Sequence, residues 1–303
     1  MSISLHPGAI CLLTCTACLA FTPDDQRTHA ADSRFRTDSQ LVLINATVVD
    51  KEGRFIPDLA GDRFRVFDEG VEVPITSVAV EEVPVSVVIV LDVSGSMKKK
   101  IVHAREALNR FLDRSGPDDE FCLLLFNDTV QMRRNFYKDT AIIRNRAAQA
   151  ETGGGTALRD SLIAAISRVR TARNARRAIL LVSDGVDTAS RYKWKEVERY
   201  LLEANAALYV LTEDNWSEDE IDSTWLQNLC KMTGGRFFSA RAKKFSDIVE
   251  RLAIRFQYVI AYMPQITDAA RGFRRVKVRL HGRDDRKLRV YWKRGYYANA
   301  GIK

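Results

Sequence analysis

Between residues 85 and 264 short apolar runs alternate with amphipathic stretches, and on either side of that region the pattern changes to polar and apolar alternation broken by Gly-containing turns. Residues 85–91 read as a strand that is apolar on both faces apart from Ser86, the pattern of a parallel strand covered by helices on two sides. Residues 99–114 follow as a helix, with Ile101, Val102, Ala104, Ala107, Leu108, Phe111 and Leu112 as its apolar face. Further strands are expected at 121–126, 178–182, 207–211 and 236–239, and further helices at 140–150, 157–170, 194–204, 218–232 and 245–256. A last strand at 258–262, ended by Pro264, closes the series. Such alternation predicts an α/β fold with a doubly wound, mostly parallel sheet and right-handed crossovers.

The flanks read differently. Residues 41–50, 64–67 and 71–80 are strand-like and separated by the turns at 51–54 and 68–70, and Pro74 marks the last of them as an edge or an interrupted strand. After the α/β region, residues 273–280 and 287–292 alternate again before Arg294-Gly295-Tyr296-Tyr297. The expected organisation is one small β-sandwich built from residues 40–82 and 265–303, with the α/β unit at 83–264 inserted between its halves. Two unrelated β appendages are the alternative.

Residues 1–21 contain no Lys, Arg, Asp or Glu, and residues 8–21 form an apolar run of signal-peptide length ending in small residues. Cleavage after Ala20 fits Cys18 and Ala20 as the small residues, with lipidation at Cys15 or Cys18 as an alternative. The expectation is export to the periplasm, the cell surface or the medium, although the leader has no Lys or Arg before its core. No later run reaches the length of a membrane span. Residues 22–39 are polar and aperiodic, a flexible spacer. Three cysteines fall in the leader; Cys122 and Cys230 are placed in apolar patterns as buried thiols, and sequence alone leaves a bridge between them open.

Composition adds little to this picture. With 303 residues and 46% hydrophobic content the chain has enough apolar material for a large unit and a small one. The net charge of +8 favours anionic partners, but the basic residues are scattered and no aromatic-interleaved basic motif occurs, so nucleic acid is not an expected partner.

The candidate chemistry lies in three loops. Asp92-Val93-Ser94-Gly95-Ser96 follows the first apolar strand, Thr156 follows Gly153-Gly154-Gly155, and Ser183-Asp184-Gly185 ends a later strand. Loops beyond the carboxyl ends of strands in an open α/β sheet gather at the topological switch point, so the three can share one site. Carboxylates and hydroxyls converging there suit a small hard cation. These stretches, together with Gly154-Gly155-Thr156-Ala157-Leu158 and Val182-Ser183-Asp184-Gly185, resemble the metal-ion-dependent adhesion site of von Willebrand factor A domains. The flanks resemble those of a group of exported bacterial proteins with this domain described from Acidobacteria. The resemblance implies that Ser94, Ser96 and Thr156 are hydroxyl ligands and that Asp92 and Asp184 are carboxylate ligands, direct or through water, of Mg2+, with Mn2+ or Ca2+ as substitutes. It also implies a non-enzymatic recognition or adhesion module whose cation accepts an Asp or Glu of a partner protein.

Two other functions remain open from sequence: a metal-dependent hydrolase and an envelope scaffold in which the metal is structural. Against the first, the chain has no G-x-S-x-G elbow, HExxH pair or Walker loop. Asp187 reads as a solvated loop carboxylate rather than an extension of the site, Lys98-Lys99-Lys100 as a solvated helix start, and His103 as an ordinary helix residue. Trp194, Trp216 and Trp225 read as packing residues, and Tyr296 and Tyr297 as packing of the sandwich.

Overall fold

The computed structural model describes residues 41–132, 135–184, 187–213, 221–240, 256–264, 272–282 and 287–298. The expected leader and spacer, Trp216, and residues 245–255 of the last expected helix lie outside the described residues.

Strand β1 (Val42–Val49) is followed by β2 (Phe64–Asp68), β3 (Val71–Val73) and β4 (Ile75–Glu82). The α/β series then runs β5 (Val85–Asp92), α1 (Ile101–Leu112), β6 (Glu120–Phe126), β7 (Val130–Met132), α2 (Thr140–Ala148), α3 (Leu158–Val169), β8 (Arg176–Val182), α4 (Trp194–Ala204), β9 (Ala207–Glu213), α5 (Ile221–Thr233) and β10 (Phe237–Ala240). The remaining strands are β11 (Phe256–Tyr262), β12 (Gly272–Leu280), β13 (Arg289–Trp292) and β14 (Gly295–Ala298).

The central sheet has the order β10-β9-β8-β5-β6-β7 and is parallel except for β7, which pairs antiparallel with β6. All eight residues of β5 are buried, because its alternate side chains enter two different cores. Val87, Ile89 and Leu91 pack with α1 and α2, whereas Val88 and Val90 pack with α3, α4 and α5. Ser86, the polar exception, is also fully buried and donates its hydroxyl to Glu120 Oε1 at 2.6 Å. The expected apolar face of α1 is buried except for Val102, which is 64% exposed.

The chain leaves β5 toward β6 and β7 on one side and later returns to β8, β9 and β10 on the other. The strand order therefore reverses at β5, and a crevice opens at its carboxyl end.

The flanks form two four-stranded sheets, β13-β1-β11-β4 and β14-β12-β2-β3. Their inner faces share one core in which Val42, Ile44 and Val48 of β1 meet Phe64 and Val66 of β2 and Val276 and Val278 of β12. Both sheets mix strands from before and after the α/β region, which is the inserted arrangement expected. Pro74 separates β3 from β4, and the break moves the chain from one sheet to the other.

One strand differs from expectation. β11, read as the close of the parallel series, pairs antiparallel with β1 and β4 and belongs to the sandwich. Its Tyr258, Ile260 and Tyr262 face the sandwich core, and Tyr258 donates its hydroxyl to the Ile56 carbonyl at 2.6 Å. The sandwich meets the α/β unit near the amino ends of the sheet strands, where the Arg294 amide donates to the Met232 carbonyl and Lys293 Nζ to Asn205 Oδ1. Among the described residues no helix is long and apolar enough to cross a membrane.

Candidate metal centre

Parallel register sets the first contact of the site. Leu91 of β5 is level with Val182 of β8, so the next residues, Asp92 and Ser183, leave the sheet side by side. Ser183 donates its hydroxyl to Asp92 Oδ2 at 2.5 Å, and the Ser94 amide donates to Oδ1 at 2.8 Å. Asp92 is thus fully buried with both oxygens engaged. Burial pushes its carboxyl above the usual range, the Ser183 and Ser94 hydrogen bonds partly offset this, and the nearby Asp184 carboxylate adds to the rise.

Beyond Asp92 the chain makes a short 3-10 turn, Gly95–Lys99, fixed by the buried Met97. The turn brings Ser94 Oγ and Ser96 Oγ to 3.0 Å from each other. Ser96 Oγ in turn donates to Asp184 Oδ1 at 3.0 Å across 88 positions of sequence. The first and third loops therefore converge on one hydrogen-bonded chain of two hydroxyls and a carboxylate.

The second loop is stitched to the first by its backbone. The Gly95 amide donates to the Gly154 carbonyl at 3.0 Å, and the Gly153 amide to the Val93 carbonyl at 2.8 Å. Gly154 has φ +80, and a Cβ there would lie 2.9 Å from Asp128 Oδ1, so both backbone conformation and space call for glycine. Thr156 is buried in this loop, and its amide donates to Thr188 Oγ1 at 2.9 Å. Its carbonyl accepts from the Thr188 and Ala189 amides. Among the described residues the Ser94–Ser96–Asp184 chain does not include Thr156, whose loop is tied to the first by the Gly95–Gly154 and Gly153–Val93 backbone bonds.

The site contains a cation of the protein's own. Lys100, directly after the 3-10 turn, places Nζ 2.6 Å from Asp184 Oδ2 while the Asp184 side chain is 2% exposed. The solvated helix start expected for the three lysines holds for Lys98 and Lys99, which are exposed, and fails for Lys100. Asp187 also departs from expectation. It is buried and binds Arg159, whose Nε lies 3.0 Å from Oδ2 and whose amide donates to the same oxygen at 2.8 Å. Burial opposes its ionisation, but the Arg159 and Ser190 hydrogen bonds outweigh this and hold the carboxyl below the usual range. The Asp187 amide donates to Asp222 Oδ2 at 2.8 Å, and Trp194 Nε1 donates to Asp222 Oδ1 at 2.7 Å. Trp194 stacks on Trp225 with ring centroids 6.1 Å apart, so these two tryptophans pack the helices behind the third loop.

Sequence reasoning did not single out Ser183 as a partner of Asp92, Lys100 as a partner of Asp184, or Thr188 and Asn127 as supports of the second loop. Asn127 Nδ2 donates to the Gly153 carbonyl at 3.0 Å. Its position just past the carboxyl end of β6, at the same end of the sheet as Asp92, was the available signal.

The residues expected to hold a metal would offer two carboxylates and three hydroxyls, hard oxygen donors of the kind that Mg2+, Mn2+ and Ca2+ take.

Residues 87–186 match the family model of the von Willebrand factor type A domain. Inter-alpha-trypsin inhibitor heavy chain H4 of Homo sapiens is 29% identical over 189 residues, which are 58% of this chain and 20% of that protein. Heavy chain H2 of Mus musculus is 26% identical over 214 residues, covering 62% of this chain and 22% of that protein. The chain thus spans about a fifth of the length of these relatives. Among solved structures, the von Willebrand factor type A protein of Catenulispora acidiphila has a TM-score of 0.49 at 12% identity, covering 87% of this chain and 74% of that one. Proximal thread matrix protein 1 from the mussel byssus, described with a zinc-occupied MIDAS motif, has a TM-score of 0.49 at 18% identity, covering 62% and 50%. The matched segment runs from the central strand β5 into the third loop of the site, so over residues 87–186 the α/β unit of this chain is similar to a von Willebrand factor type A domain.

Proposed function

We propose that the chain is a non-enzymatic recognition or adhesion module in which Asp92, Ser94, Ser96, Thr156 and Asp184 hold a divalent cation, Mg2+ before Mn2+ or Ca2+, and an Asp or Glu of a partner protein completes its shell. The observation that supports this most is the hydrogen bond from Ser96 to Asp184 at 3.0 Å, which joins the first and third loops of the motif at one point. The Ser183 bond to Asp92 and the Gly95–Gly154 backbone bond hold the same three loops in register.

The residues divide the work in a way that suits such a role. Neutral hydroxyls compensate less of a cation's charge than carboxylates do, so a bound divalent ion retains affinity for an external carboxylate. Asp92 is oriented by two donors, which fixes its position before any ion arrives. The exposed Lys98 and Lys99 stand beside the site and favour an acidic partner during approach. Export, supported by the uncharged residues 1–21, would place this surface outside the cytoplasm.

The test is capture of envelope proteins on immobilised chain in Mg2+, with elution by chelator or by a Glu-rich peptide. The expected result is a partner released by either treatment and not retained by Asp92→Ala. Retention unchanged by chelation and by that substitution would overturn the reading.

A further inference from the structure

Lys100 contacts a buried carboxylate that the proposed site needs for its metal. Its Nζ lies 2.6 Å from Asp184 Oδ2, Asp184 Oδ1 accepts the Ser96 hydroxyl at 3.0 Å, and the Asp184 side chain is 2% exposed against 20% for Lys100. The lysine is held to this position by its backbone: its amide donates to the Met97 carbonyl at 2.9 Å, and Met97 is buried in the core beneath the turn. The ammonium is therefore tethered to the ligand loop itself, at a high effective concentration and without a second molecule.

We propose that Lys100 is an internal competitor of the divalent cation: the metal-free site is closed by its ammonium, and metal binding displaces that ammonium from Asp184 to solvent. The inference rests on the metal-binding reading above and adds the regulation of that site. Three features support it. An ammonium and a divalent cation near the same carboxylate repel each other strongly where burial weakens solvent screening. Lysine, unlike arginine, is a compact charge on a flexible stem, so it can leave without disturbing the loop. The partial exposure of Lys100 gives it a route outward, toward Lys98 and Lys99, which are already exposed. Displacement would then add a third ammonium to the rim that an acidic partner meets, so that metal loading and partner attraction rise together.

Lysine footprinting with an acylating reagent tests this on the unmodified full chain. Saturating Mg2+ is expected to raise labelling of Lys100 while Lys98 and Lys99 stay the same. In parallel, Mn2+ titration of Lys100→Met, which keeps the stem and removes the charge, is expected to show roughly tenfold tighter binding than the parent chain. Mn2+ binding with equal affinity in both chains and unchanged Lys100 labelling would overturn the competitor role while leaving the metal reading intact. Absence of Mn2+ binding in both folded chains would overturn the two together.

Discussion

Ser183 and Asp92 lie 91 positions apart in sequence and share a hydrogen bond of 2.5 Å, because Leu91 and Val182 are paired in the parallel ladder and the next residue of each strand enters the site. The contact transmits sheet register directly to the proposed ligands. Ser183→Ala removes the donor on Asp92 Oδ2 while leaving its buried carboxylate in place. A loss of about 1–3 kcal/mol in stability is expected, with weaker Mn2+ binding, measured by urea unfolding and by titration.

Arg159 and Asp187 form an ion pair in which the carboxylate side chain is 1% exposed and the arginine side chain 25%. Arg159→Met leaves the Asp187 carboxylate buried without its cation and is expected to cost about 3–5 kcal/mol near neutral pH. The sign with pH follows from the lowered Asp187 carboxyl: its contribution is fully present above the ordinary carboxylate range and is lost as pH falls through the depressed folded value. Urea unfolding across acid pH should therefore show the parent chain and the variant converging as Asp187 becomes protonated.

Asp68 does for the sandwich what Asp184 does for the site, gathering groups from distant parts of the chain. It accepts from Tyr262, Tyr296 and Arg274, at 3.1, 3.0 and 3.0 Å respectively. Burial, together with the Asp68 anion, raises the Tyr262 hydroxyl well above the usual range, so it remains a donor. Asp68→Ala should destabilise the chain by about 3–5 kcal/mol and open residues of both flanks to proteolysis together. Selective opening of the tail alone would contradict a single sandwich.

Cys122 and Cys230 are unbridged, and both lie in the core beneath α3, α4 and α5. Burial raises both thiols above the usual range, which disfavours the reactive thiolate. Peptide-mapped alkylation should leave both residues unmodified in the native protein and modify both in urea.

Much of this architecture was legible because burial on two faces writes itself into sequence. The apolar run of β5, broken only by Ser86 before it ends at Asp92, and the periodicity of α4 located those elements, and Pro74 announced the break between β3 and β4. β11 was not legible as a sandwich strand, since an apolar run records burial and not the strand it pairs with. β7 was missed because it is three residues long and only partly buried. In the site, residue types and loop order pointed to Asp92, Ser96 and Asp184. The roles of Lys100 and Asp187 depend on partners 84 and 28 positions away, and no local pattern encodes those.

The most direct measurement is titration of the folded chain with Mn2+, followed by electron paramagnetic resonance of the free ion, in parallel with Thr156→Ala and Asp184→Ala. Thr156 and Asp184 come from different loops, so a shared effect reports one divided site. One Mn2+ per chain, displaced by Mg2+ and lost or greatly weakened in both variants, is the expected result. Binding unchanged in both variants, or no binding by the folded parent chain, would contradict a cation held between these loops.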